Sequence, residues 1–330
     1  MKHPYEHLTP DLMLEAVDAI GLRTDGRLLA LNSYENRVVQ LGLEEPLPGG
    51  GDFVVAKFYR PERWTDAAIR EEHAFARALA AEEIPVIAPL TDDAGETLHL
   101  HGGFRFAVFP RQGGRWPDLD TPERLAWIGR FLGRIHQLGA ARAFGHRPTL
   151  DTASYGRAAA EALLRSPLLP TEYRDRYRQL TEALLEQVAE RFTALAPRSI
   201  RLHADCHPGN ILWTDSGPHF VDLDDCRMGP AVQDLWMLLS GERTEMSAQL
   251  GHLLDGYRMF RPFDSRETAL IEPLRSLRII HYAAWLARRW DDPAFPPTFT
   301  WFGTPHYWES HLDDLERQLE LLDEPPLAAD

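Results

Sequence analysis

Three things are scarce in this chain, and each absence narrows what it can be. Only two of its 330 residues are cysteine, Cys206 and Cys226. That is too few for a disulfide framework, and it fits a reducing compartment. No apolar run approaches the roughly 20 residues that cross a bilayer as a helix. The opening Met1-Lys2-His3-Pro4-Tyr5-Glu6-His7 has no apolar stretch behind its positive charge, so no signal peptide is expected. Positive charge is also short: 35 Lys and Arg stand against 50 Asp and Glu, a formal net charge of −15. Such a chain is a poor non-specific binder of polyanions, and nucleic acid is not an expected partner. The expectation is a cytoplasmic protein with neither a membrane nor a nucleic-acid role. With 44% hydrophobic and 26% charged residues, the composition is that of an ordinary globular enzyme, long enough for one large or two ordinary domains.

The order of elements suggests two halves. Arg27–Leu31, Arg37–Leu41 and Phe53–Tyr59 alternate like strands, and a glycine turn at 49–52 feeds the third. Thr65 to Ala81 carries a helical stripe of Ile69, Glu72, Phe75, Ala76 and Leu79. Thr97–Leu100 and Phe104–Phe109 add two strands. Beyond Pro110-Arg111-Gln112-Gly113-Gly114 the pattern turns helical, beginning with an N-cap at Thr121 and proline at the first helical position. Further helices are expected over about 154–164, 171–195, 231–239, 247–260, 266–290 and 307–322. The predicted fold is α+β and two-lobed. A small antiparallel-sheet lobe (1–110) would bind nucleotide, a large mainly helical lobe (111–330) would carry catalysis and substrate, and a cleft would lie between them.

The chemistry concentrates in His203-Ala204-Asp205-Cys206-His207-Pro208-Gly209-Asn210 and Phe220-Val221-Asp222-Leu223-Asp224-Asp225. An Asp is followed five positions later by an Asn on one loop, and a second Asp closes a short apolar strand. Phosphoryl transfer needs that set: one carboxylate to orient and deprotonate a hydroxyl, and an amide with a second carboxylate to hold Mg²⁺ on the phosphates. Asp205 is the candidate base. Asn210 and Asp222 are the candidate metal ligands, oxygen donors for a hard cation. Lys57 stands alone in the apolar strand Val54-Val55-Ala56-Lys57-Phe58-Tyr59, where burial is costly without a partner or ligand. It is the candidate phosphate-binding lysine. Glu72 shares the inward stripe of the following helix and is its expected partner, whereas Glu71 is turned about 100° away. Ser33, in a glycine-free turn between the first two strands, is the candidate phosphate contact. Adenine would lie against the strand entering the linker and hydrogen-bond backbone near Phe109 and Arg111; Pro110 has no N–H to donate.

Several other features admit duller explanations. Asp224 and Asp225 either tune the metal and meet a cation or form a solvated turn. Asp234 opens a helix, where an acid favours the dipole end. The two cysteines are either small buried residues or a redox-sensitive pair. The aromatic tail from Tyr282 to Trp308 either packs the last helices or walls the substrate.

The two catalytic segments resemble those of the kinase superfamily in the form used by aminoglycoside and choline kinases. The resemblance narrows further. Asn32-Ser33-Tyr34-Glu35-Asn36-Arg37-Val38, the run Lys57 to Trp64, Asp205 to Trp213, Val221 to Asp225, Gly229 to Leu239 and Asp292 to Pro296 are similar to the bacterial stress response kinase A family, over about Leu8 to Pro326. The resemblance implies a cytoplasmic, Mg²⁺- and ATP-dependent serine/threonine protein kinase active in stress protection. It carries over Ser33 as the ATP contact, Asp205 as base, and Asn210 and Asp222 as Mg²⁺ ligands. A monomer acting on protein Ser/Thr hydroxyls is expected. The residues alone do not separate a protein hydroxyl from a small-molecule one (homoserine-, choline- or aminoglycoside-like). The intact set of Lys57, Glu72, Asp205, Asn210 and Asp222 argues against a pseudokinase. One departure is Ala204, where the family usually shows Gly.

Overall fold

The computed structural model describes residues 4–48 and 50–329. Gly49, within the expected glycine turn, and the first three residues lie outside them. The chain divides into two units. The first runs through Asp118 and takes in Phe144–Arg147 and His207–Cys226; the second holds Leu119–Ala143, Pro148–Cys206 and the chain from Arg227 onward.

The first unit is built on a five-stranded antiparallel sheet. Its strands are β1 (Thr24–Ala30), β2 (Arg37–Leu43), β3 (Phe53–Phe58), β4 (His99–His101) and β5 (Phe104–Pro110), in the order β1-β2-β3-β5-β4. Alternation gives the sheet two distinct faces. Val54, Ala56 and Phe58 of β3 point into a core with Val39, Leu41, Phe106 and Val108. Helix α1 (Pro10–Asp18) covers that core with Met13, Ala16 and Val17. The sequence reading did not anticipate α1. Its signature is nonetheless that of the helix after Thr121: Thr9 caps the amide of Leu12 at 3.2 Å, and proline follows. Val55 and Lys57 point to the opposite face, where α2 (Asp66–Ala81) packs through Ile69. The hairpin of β7 (Ile211–Thr214) and β8 (Gly217–Phe220) belongs to this unit. Phe220 exchanges backbone hydrogen bonds with the segment Pro85–Ile87, and Trp213 with Arg115.

The second unit is mainly helical. It contains α3 (Pro122–Gly139), α4 (Ala158–Arg165), α5 (Thr171–Leu195), α6 (Gln233–Trp236), α7 (Arg243–Tyr257), α8 (Ile271–Arg289), α9 (Phe295–Thr298) and α10 (Pro305–Leu322). A two-stranded ribbon, β6 (Ile200–Leu202) with β9 (Arg227–Gly229), completes it. The helix expected over 231–239 shrinks to α6, and the one over 266–290 opens with a 3₁₀ turn at Ser265–Leu270. The tail aromatics pack largely on one another: Trp285 lies 5.1 Å from Phe295 and Phe302 5.5 Å from Trp308, centroid to centroid. Among the described residues, no helix is long and apolar enough to cross a membrane.

Candidate active site

Within the first unit, a pocket of about 330 Å³ opens beside β3. Ser33, Lys57, Glu72, Phe109, Asn210 and Asp222 all line it. The residues proposed from sequence for nucleotide and metal therefore converge, apart from Arg111. Arg111, whose backbone is the expected contact, is not among the lining residues; its side chain donates to the Gln40 amide oxygen at 3.0 Å, while Pro110 and Gln112 line the pocket beside Phe109. A wider groove between α4 and α5 in the second unit carries none of these residues.

Lys57 is buried beneath the pocket floor and faces three carboxylates. Its Nζ lies 3.4 Å from Glu72, 3.2 Å from Asp222 and 3.0 Å from Asp224. Burial alone would lower the pKa of this ammonium. The combined charges of Asp224, Glu72 and Asp222 outweigh burial and hold it well above the usual lysine value. Burial likewise raises Glu72, against the opposing pull of Lys57. Glu72 also receives Nη2 of the buried Arg147 at 2.7 Å. Its sequence neighbour Glu71 does something else: both its oxygens accept backbone amides, from Gly145 (2.6 Å), His146 (2.7 Å) and Arg147 (3.1 Å). The one-residue turn of the helix separates a charge partner from a loop anchor.

Asp224 is not a solvated turn. It is 3% exposed and, besides Lys57, pairs with Arg63 and accepts from the Asn36 amide at 3.1 Å. Burial would raise its carboxyl; Arg63 and Lys57 override this and hold it at about 2. Asp225 takes the other end of Arg63 at 2.9 Å. Asn36 closes the loop on its other side by accepting from the Arg60 amide at 3.1 Å. Arg63, Asn36 and Arg147 escaped the sequence reading. The only signal for them was their place in the stretches 32–38 and 57–64 for the first two, and none for Arg147.

The loop carrying Asn210 is set by local bonds. His207 accepts the Gly209 amide through Nδ1 at 3.0 Å, and Val221 donates its amide to the Asn210 carbonyl at 3.0 Å. That last bond ties the Asn loop to the Asp222 segment. Asp222 adopts φ 58°, in the left-handed region that aspartate tolerates better than most residues. Its half-exposed carboxylate and the Asn210 amide are hard oxygen donors lining one pocket. Among the described residues, no three His, Cys, Asp or Glu side chains are grouped to hold a metal ion alone. The protein thus offers a partial shell, which suits a cation that completes its coordination with water and phosphate oxygens.

Asp205 belongs to the second unit. Its Oδ1 accepts from Nη1 of Arg278 at 2.8 Å, and both side chains are partly exposed. The backbone before it is pinned by Asp234, which is fully buried and accepts the amides of His203 (2.8 Å) and Ala204 (2.7 Å). Asp234 is held in turn by His136 at 3.0 Å, whose other ring nitrogen meets the Tyr257 hydroxyl. Ala204 takes φ 70°, a conformation that favours glycine. Its departure from the expected glycine therefore falls where a methyl costs most. Cys206 and Cys226 are both buried free thiols, and no disulfide joins them.

The pattern of the phosphotransferase enzyme family matches residues 27–271. The chain is 46% identical over 327 residues to stress response kinase A of Escherichia coli (strain K12), covering 98% of this chain and 96% of that one. It is 44% identical over 324 residues, with the same coverage, to the serine/threonine protein kinase RdoA of Salmonella typhimurium. Among solved structures, it is similar to amicoumacin kinase hAmiN in complex with AMP-PNP, Ca²⁺ and Ami. That likeness has a TM-score of 0.71, 19% identity, and covers 96% of this chain and 95% of that one. Further likenesses, to spectinomycin phosphotransferase APH(9)-Ia (TM-score 0.64, 14% identity, 93% of this chain and 98% of that one) and to choline kinase LicA of Streptococcus pneumoniae (TM-score 0.66, 14% identity, 94% and 98%), show an aminoglycoside- and choline-kinase-like fold.

Proposed function

Given that the chain belongs to the stress response kinase A group of the phosphotransferase enzyme family, and is a phosphotransferase acting on hydroxyl groups, we propose that it is a Mg²⁺- and ATP-dependent serine/threonine protein kinase of the stress response. One observation carries the nucleotide half of this reading: Ser33, Lys57, Asn210 and Asp222 line a single pocket. ATP would lie there with its phosphates toward Lys57, a cation kept charged by its carboxylate neighbours. Ser33 would contact the phosphates, and the base would rest against Phe109. Asn210 and Asp222 would hold Mg²⁺, which neutralises phosphate charge when bound.

Asp205 is the proposed base. Its carboxylate orients an acceptor hydroxyl and takes its proton as oxygen bonds to the γ-phosphorus and the bond to the β-phosphate oxygen breaks, releasing ADP. The buried Asp234, through the amides of His203 and Ala204, keeps the base's backbone in place. The protein acceptor is supported by the near full-length relatives named as stress response and serine/threonine protein kinases. The likeness to amicoumacin kinase extends to the fold only.

The test compares wild type with Asp205→Asn on a cell lysate supplied with Mg-ATP, read by phosphopeptide mass spectrometry. New phosphoserine and phosphothreonine are expected with wild type. The variant should lose about 10²–10⁴-fold in transfer while still binding nucleotide. Transfer only to small alcohols would refute the protein-kinase reading.

A further inference from the structure

Asp205 is paired with Arg278, and the helix that carries Arg278 runs against the net charge of the chain. The protein has a net charge of −15. Yet α8 holds one acidic residue, Glu272, against four arginines: 275, 278, 288 and 289. Glu272 is already engaged by Arg275 at 3.1 Å. The guanidinium of Arg227 lies 4.6 Å from the centroid of Tyr155, which also stacks on His281 at 4.0 Å. Further along the same face, one and two turns beyond Arg278, come Tyr282 and Trp285, stacked at 5.6 Å. Apart from the engaged Glu272, every charged side chain of α8 is thus basic, within a chain whose overall field attracts cations.

We propose that Arg278 determines acceptor specificity: by cancelling the charge of the Asp205 carboxylate it turns away cationic alcohols and leaves the base to an uncharged hydroxyl, such as that of a polypeptide serine or threonine. This rests on the reading of Asp205 as the acceptor base. A partly exposed carboxylate with no cation beside it at the point of reaction would draw in an amino alcohol, because a cation bearing a hydroxyl pairs with it directly. The 2.8 Å contact with Arg278 removes that attraction. The side chain of Arg278 is 40% exposed and that of Asp205 27%, so the pair meets arriving molecules rather than filling a sealed core. Solvent at this exposure screens the effect, which sets the expected discrimination at about tenfold.

The experiment measures kcat/KM for an uncharged Ser/Thr peptide and for ethanolamine as the cationic alcohol, with wild type, Arg278→Gln and Arg278→Lys. Ethanolamine binding to each nucleotide-free protein is followed by calorimetry. In Arg278→Gln the peptide-to-ethanolamine ratio should fall about tenfold and ethanolamine binding should tighten by a similar factor, while Arg278→Lys keeps the wild-type preference. Wild type alone supplies a check that needs no variant: a peptide with Lys beside the acceptor Ser should be used about tenfold less well than one with Gln there. A wild type that labels peptide while Arg278→Gln leaves the ratio unmoved, or that uses both peptides equally, overturns this inference and spares the protein-kinase reading. A wild type that prefers ethanolamine overturns both.

Discussion

Asp224→Asn is the most demanding perturbation of this site, because it keeps shape while removing the charge and turning one oxygen that faces Lys57 or Arg63 into a donor. In the folded protein the Asp224 carboxyl is held at about 2, against an ordinary value of 3.8. Burial pushes the other way, so Arg63 and Lys57 supply more than the whole shift. That depression corresponds to a contribution on the order of a few kcal/mol to stability at neutral pH. Because the folded value lies below the unfolded one, this contribution is complete above about pH 4 and is lost as pH falls through 2; about half should remain at pH 3. Breaking a buried pair typically costs about 3–5 kcal/mol. Here Lys57 keeps Glu72 and Asp222, and Arg63 keeps Asp225 and Glu35, so the lower end is expected, about 2–3 kcal/mol. Urea unfolding followed by far-UV circular dichroism at pH 7 and pH 3 measures the difference from wild type. A loss under about 1 kcal/mol at pH 7, or one that does not shrink at pH 3, would refute the reasoning.

Asp222→Ala should weaken Mg-nucleotide binding as well as transfer, seen as a fall in affinity by calorimetry with Mg-ADP; unchanged affinity would detach Asp222 from the metal. At Ala204, replacement by Gly relieves a left-handed strain of about 1–2 kcal/mol but loses a buried methyl and gains chain entropy of similar total size. Thermal melts of Ala204→Gly should therefore lie within about 1 kcal/mol of wild type, while Ala204→Val, β-branched in the same conformation, should lose more than about 2 kcal/mol. Equal stability of the two variants would show that φ 70° does not constrain this position.

The sheet was legible because its strands follow period two and its helix follows 3.6, and those periods put Lys57 and Glu72 on facing surfaces. Glu71 and Glu72 are chemically identical, and only the helical phase told them apart. The charged cluster around Asp224 was not legible in that way. Asn36 lies 188 residues from Asp224 and Arg63 161 residues away, and no local period links such pairs. An Asp-Asp pair after a strand reads equally as a turn or as a buried acceptor until its cations are known. Arg147 sits in a short segment with no helical or strand pattern, so its burial against Glu72 had no sequence signal at all. Conversely, α1 carried a readable Thr-Pro start and was missed for want of length: nine residues give a weak stripe. The distorted openings near 152 and 265 show where propensity alone overstates regularity.

The grip of Glu71 on three consecutive amides also bears on how such an enzyme can be controlled. Swinging α2 away from Lys57 would require releasing all three charge-assisted bonds at once, each worth about 1.5–3 kcal/mol to a charged group. Those bonds hold the helix in the position where Glu72 meets Lys57. Control by displacing that helix would first have to overcome those three bonds.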